Sequence, residues 1–237
     1  MFASCKNLSL LWACFTLSLM AAPTPVYAYE KGDIIFRLGY ASVDPRENVD
    51  PVIVNNQLNL GGLGLKSQET PLLTTTVQLN KNWGVEVLLP LMALEIEVGG
   101  NGGALEGLAM GTADARPLSV VLQYYPFETS WAKPYLGFGV NYTFLSNTKV
   151  NQSAAMALGV DSIETLRVKN AYGFVFQAGV DIPVTERLSL NLSTSFLDLN
   201  TEASATFYVN GQLHSGETKL DLKKQPNISV IGLSYRW

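Results

Sequence analysis

The sequence predicts an all-β protein, an eight-stranded antiparallel transmembrane β-barrel with short periplasmic turns and long extracellular loops. Three observations carry that prediction. Apolar residues recur at every second position in six segments, the spacing that puts them on one face of a strand. The connections between segments alternate between short and long. The face opposite the apolar one is built of Gly, Ser, Asn and Thr with few charges, which suits a narrow barrel interior better than a water-exposed surface.

The chain begins with a stretch that is not part of the barrel. Lys6 supplies a positive charge, Leu8 to Met20 is an apolar run of 13 residues, and Val26-Tyr27-Ala28 approaches the small-x-small pattern of a signal-peptidase site. Residues 1–28 are therefore expected to be an export signal and residues 29–237 the outer-membrane barrel. Cys5 and Cys14 are the two cysteines of the sequence and both lie in the signal, so the exported barrel has no disulfide to hold it. Leu11-Trp12-Ala13-Cys14 is a poor lipoprotein site, because Trp stands at its second position and the apolar run continues past Cys14.

The strands follow in order. Ile34, Phe36, Leu38 and Tyr40 oppose Ile35, Arg37, Gly39 and Ala41. Leu72 to Leu79 favours strand through its β-branched Thr74-Thr75-Thr76, and Trp83 to Val98 is expected as one further strand. Leu118, Val120, Leu122 and Tyr124 oppose Ser119, Val121, Gln123 and Tyr125. Pro134 to Phe144 alternates most cleanly, with Leu136, Phe138, Val140, Tyr142 and Phe144 on one face. Tyr172 to Ile182, Leu188 to Phe196 and Val230 to Trp237 repeat the pattern. Short connections are expected at 80–82, 126–132 and 183–187, and long loops at 44–70, 99–115, 147–169 and 201–224.

Composition narrows the function classes. Hydrophobic residues make up 47% of the 237 and charged ones 15%, against roughly 25% charged in an ordinary soluble domain. No window outside residues 1–28 holds the roughly 18 apolar residues that a spanning helix needs. The net charge is −4 and no Lys/Arg cluster exists to neutralise a phosphate backbone, which excludes nucleic acid as a partner. A soluble eight-stranded barrel of lipocalin type has the same periodicity with its apolar face inward. The near-uncharged small-residue face and the aromatic chain end decide for the membrane.

Several segments also resemble the outer membrane protein W (OmpW) family: Gly32 to Arg37, Val43 to Glu47, Asn82 to Glu86, Pro117 to Tyr125, Lys133 to Thr143, Gln177 to Asp181 and Tyr235-Arg236-Trp237. Lys133 to Thr143 is the most specific, fixing eleven positions together. The resemblance implies an outer-membrane barrel with both termini in the periplasm, serving passage of small hydrophobic molecules. It departs at Trp237, where the family more often has Phe; the aromatic character through which barrel-assembly machinery would engage the last strand is kept. The resemblance also matches Leu88 and Tyr172 to apolar gating positions in the lumen, although strict alternation points Tyr172 outward.

An eight-stranded barrel has room inside for side chains or one small ligand, which excludes a water-filled pore. Placing each inward residue by its distance from the short turns puts Arg37, Glu86, Gln123, Asp181, Asn191 and Arg236 at the periplasmic end. Two cations there face two anions, and in a poorly hydrated lumen such charges must pair, so a polar floor is expected. Leu72, Leu88, Met92, Tyr172, Val175 and Leu197 are the candidate apolar lumen above it. The expected partners are outer-membrane lipid and lipopolysaccharide together with small apolar solutes. Such a solute would enter the apolar upper lumen, be refused by the floor, and leave sideways where Pro71, Pro90 or Pro117 interrupts strand pairing. For Leu88 and Met92 plain interior packing is the competing reading.

No pattern calls for a cofactor or a metal. His214 is the single histidine; beside Ser215 it invites comparison with a lipid-modifying barrel enzyme, but neighbours on a strand face opposite ways and Asn210-Gly211 to Gly216 reads as a hairpin tip. Gly61 to Lys66 and Gly99 to Gly103 read as flexible outer loops, and Ala154 to Leu158 as a short helix near the funnel mouth. A structural or adhesive surface barrel is the remaining alternative; it should carry β-rich, charged loops.

Overall fold

The computed structural model describes residues 28–44, 53–54, 58–59, 62–65, 67–101, 107, 109–127, 129, 131–157, 159–201, 203–218 and 226–237. The expected export signal therefore lies outside the described residues except for Ala28. In chain order the elements are β1 (Ile34–Asp44), β2 (Ile53–Val54), β3 (Leu58–Asn59), β4 (Gly62–Leu65), β5 (Gln68–Asn80), β6 (Trp83–Pro90), β7 (Leu94–Asn101), β8 (Ala109–Tyr124), β9 (Lys133–Val150), α1 (Gln152–Ala157), β10 (Ser162–Val168), β11 (Ala171–Pro183), β12 (Leu188–Asn200), β13 (Ala203–Val209), β14 (Gln212–Thr218) and β15 (Asn227–Arg236).

Eight of these close into an antiparallel barrel in the order β1, β5, β6, β8, β9, β11, β12, β15. The first and last strands meet through Phe36↔Tyr235 and Leu38↔Leu233, so the sheet closes on itself without an edge strand. The period-two pattern holds throughout. Leu38, Phe138, Phe176, Ile231 and Leu233 are exposed on the outside, whereas Arg37, Gln177, Asn191 and Ser234 are buried inside. Lipid tails solvate the first set, and the second must find partners among themselves.

Three expectations about connections need correction. The strand expected over Trp83 to Val98 is broken: β6 stops at Pro90, residues 91–93 bend, and β7 resumes at Leu94. Proline lacks the N–H a ladder requires, which explains the stop. The long extracellular connections are not plain loops either. The β4 segment Gly62–Leu65 pairs with the end of β7, Val98–Asn101, so the two glycine clusters include paired backbone; β8 and β9 climb beyond the barrel to Ala109 and Val150. Further, β10, β13 and β14 form a separate three-stranded sheet. Asn210 and Gly211, both at positive φ, make the two-residue turn between β13 and β14, so His214 and Ser215 lie in a strand rather than at the tip.

Candidate functional site

The interior has two zones, and alternation on the eight strands delivers both. The lower zone is built round Arg37 of β1. Its Nη2 and Nε donate to the two oxygens of Asp181 at 2.7 and 3.3 Å, a two-point contact that suits the planar guanidinium. Nη1 donates to Glu86 Oε1 at 3.1 Å and to the Thr76 hydroxyl, and Nη2 also reaches the Tyr125 hydroxyl at 3.0 Å. Asp181 accepts further from Asn191 Nδ2 at 2.8 Å, Tyr29 OH at 2.9 Å and Ser234 Oγ at 3.2 Å. Glu86 accepts from Thr74 and Gln177, each at 2.8 Å. Gln123 closes the circuit, accepting from Tyr125 and donating to Gln177 at 3.0 Å.

Each carboxylate thus trades water for several donors, the condition under which a buried ion pair is tolerable. Three tyrosines pack the remaining space: Tyr125 lies 5.3 Å from both Tyr29 and Tyr135, ring centre to ring centre. Tyr135 is seated over Gly179, where a Cβ would collide with its phenol ring.

Directly above, Ala41, Leu72, Leu88, Val121, Val175, Leu197 and Ile228 form a buried aliphatic layer. At the boundary a cavity of about 10 Å³ is lined by Arg37, Leu72, Glu86, Leu88, Gln177 and Asn191 among others, room for a single water. Close to this boundary Ser195 Oγ is buried and, among the described residues, has no hydrogen-bond partner.

Of the residues expected to form the floor, Arg37, Glu86, Gln123, Asp181 and Asn191 come together in one network. Arg236 does not join it. It lies one inward step below Ser234, at the rim, where it donates to the Ala28 and Glu186 carbonyls at 3.0 and 3.2 Å and sits 3.6 Å from Asp33. Among the described residues the second buried cation is Lys133, 4% exposed and opposite Asp181 in register. Of the six apolar lumen candidates, Leu72, Leu88, Val175 and Leu197 are interior. Tyr172 is 64% exposed and faces outward; β11 pairs without a bulge from Ala171 to Asp181, so alternation holds against the resemblance. Met92 is 59% exposed, because the bend after Pro90 takes it off the inward face.

Sequence reasoning passed over Tyr29, Lys133, Tyr125, Tyr135 and Gln177 as members of the floor. The last three sit at inward positions of the alternating pattern and could have been found there, and Lys133 lies one residue ahead of the Pro134 start. Tyr29 precedes any periodic segment and left no signal.

The barrel wall is interrupted beside the aliphatic layer. The β6–β8 ladder ends at Leu88↔Ser119 and the β7–β8 ladder resumes at Leu94↔Ala115. Leu89 to Ala93 thus face Arg116 to Leu118 across a stretch without register, with Pro90 on one side and Pro117 on the other. The other flank stays closed: Leu91 N–H donates to the Pro71 carbonyl at 3.0 Å, and Pro117 stays in register with Thr143.

A family model described as the OmpW family matches residues 30–237. The outer membrane protein W of Vibrio cholerae is 28% identical over 225 residues, 93% of this chain and 97% of that protein. That of Escherichia coli K12 is 26% identical over 212 residues, 89% and 91%. Among solved structures, the crystal structure of OprG from Pseudomonas aeruginosa superposes with a TM-score of 0.72 at 23% identity, covering 90% of this chain and 99% of that one. The solid-state NMR structure of outer membrane protein AlkL in lipid bilayers gives 0.63 at 18%, covering 92% and 95%.

Proposed function

Because this chain belongs to the OmpW family and is an outer-membrane barrel, we propose that it provides passive uptake of small hydrophobic molecules, which enter the aliphatic upper lumen and leave laterally into the bilayer. One observation carries the reading: the interruption between Leu89–Ala93 and Arg116–Leu118 opens beside Leu88, immediately above a floor that is hydrogen-bonded shut. An apolar solute that continued downward would strip partners from Arg37, Asp181 and Glu86, at a cost of several kcal/mol. Moving sideways displaces only Leu72, Leu88 and their aliphatic neighbours, which hold one another by non-directional contacts. Lateral exit is the cheaper route.

Uptake of a small apolar compound by cells or proteoliposomes tests this. Leu88→Asp puts a charge in the buried layer and is expected to cut uptake about tenfold, since one unpaired buried polar group costs more than the 1.4 kcal/mol that a factor of ten represents. Met92→Lys, exposed in the bend at the interruption, is expected to slow release. Equal uptake by the parent and both variants would overturn the conduit.

The three-stranded sheet of β10, β13 and β14 is the one feature that favours a surface-contact role instead, and unchanged uptake would promote that reading. We take the barrel to be non-enzymatic: His214 is exposed in β14, away from the floor. Residues 1–28 serve in this reading as the export signal, and the Trp237 end as the handle for barrel assembly.

A further inference from the structure

The residues ahead of β1 close the periplasmic mouth. Gly32 turns the chain at φ 95° and donates its N–H to the Gln78 carbonyl at 2.9 Å, while Gln78 N–H donates back to the Asp33 carbonyl at 2.9 Å. Glu30 N–H donates to Asp33 Oδ2 at 2.9 Å. With this turn tied to the rim through Gly32 and Asp33, Tyr29 is directed up into the barrel. It is 3% exposed, although Ala28 and Glu30 on either side face solvent.

Every part of the Tyr29 phenol meets a different chemical group. Its hydroxyl donates to Asp181 at 2.9 Å. Its ring meets Tyr125 edge to face, with an interplanar angle of 78°, the arrangement the ring quadrupoles favour. Lys133 Nζ stands 3.8 Å from its centre, a cation–π contact in a desolvated place. Ile35 and Tyr135 complete the wall. An apolar stopper would need only volume; this site also specifies a donor position and a π-face.

We propose that residues 29–33 are a strap across the periplasmic mouth and that the cradle holding Tyr29 is a phenol-binding site, filled by the chain itself and able to take a free para-alkyl phenol once Tyr29 is gone. The lower seal then belongs to a segment that is separable from the barrel wall. A phenol is the ligand class because an acceptor carboxylate, an aromatic edge and an ammonium converge on one planar ring bearing a hydroxyl.

A buried cysteine reports on the strap. In the exported barrel of residues 29–237, Ile35→Cys places a single thiol behind Tyr29, and its reaction with a hydrophilic maleimide is timed on folded protein in detergent, with heat-modifiable gel mobility confirming the fold. Tyr29→Ala is expected to speed labelling at least about tenfold, because local opening loses a hydrogen bond and two ring contacts. Millimolar p-cresol should return the rate to within about twofold of the parent, as a ligand of the right shape refills an engineered cavity. Toluene, lacking the hydroxyl, should not.

Tyr29→Phe keeps the ring and loses the hydroxyl's bond to Asp181; about threefold faster labelling is expected, within the worth of one hydrogen bond. Labelling of Tyr29→Ala as slow as the parent would overturn the strap. Equal protection by p-cresol and toluene, or by neither, would overturn the phenol site. Should Tyr29→Ala not assemble, the Phe variant decides, and unchanged labelling there would remove the role of the hydroxyl.

Discussion

At the level of Asp181 the barrel is filled by groups that bond to one another, whereas at the level of Leu88 and Leu197 it is filled by side chains that merely touch. Both zones come from the same eight strands and the same inward-facing period. The lower zone is directional: each oxygen of Asp181 and Glu86 has assigned donors, and moving one residue strands another. The upper zone is non-directional, so its leucines and valines can exchange rotamers without leaving a polar group unmet. A barrel that must seal and yet admit a solute needs both kinds of filling, with the yielding one beside the interrupted wall.

The contrast can be broken most forcefully at Asp181. Asp181→Ala leaves Arg37 with one carboxylate partner in a dry interior and is expected to cost about 3–5 kcal/mol, read from urea unfolding in detergent. Uptake of an apolar solute should not rise. Leu88→Ala is the matching cut in the other zone: the removed methyls and the space they leave cost about 2–3 kcal/mol, yet uptake should increase because the yielding layer is thinner. If both variants changed uptake alike, the two zones would not differ in role.

Smaller effects sharpen the boundary. Tyr172→Ala touches the lipid face and is expected to cost about 1 kcal/mol or less with uptake unaltered, whereas a lumenal Tyr172 would change uptake strongly. Ser195→Ala removes a buried hydroxyl without a partner among the described residues. It should leave stability equal or raise it by up to about 1 kcal/mol, and a loss of more than that would mean the hydroxyl is satisfied in the membrane-embedded protein.

Much of this division was legible beforehand. Arg37, Glu86, Gln123, Asp181 and Asn191 were readable as a group because each sits on an inward position near a short turn. Leu72, Leu88, Val175 and Leu197 were readable as their apolar counterpart. The failures have local causes. Met92 was placed inside on the assumption that a strand runs through Pro90, which cannot donate to a ladder. Tyr172 was placed inside on resemblance against its own alternation, and the alternation prevailed. Arg236 had the right face but one step too low a position.

Which residues share a face of each strand is a property of neighbouring residues, since successive side chains point opposite ways whatever the rest of the chain does, and the near-uncharged small-residue make-up of one face marked it as the interior; the sequence alone therefore determined the barrel and its inside-out polarity. Which inward groups meet was decided by closure. Strand tilt and stagger set the height of every residue, bringing Arg37 against Asp181 across 144 positions and seating Lys133 rather than Arg236 as the second buried cation. Tyr29 belongs wholly to that second category, because a residue outside any strand has no periodic face and gains its place only when a finished barrel offers one.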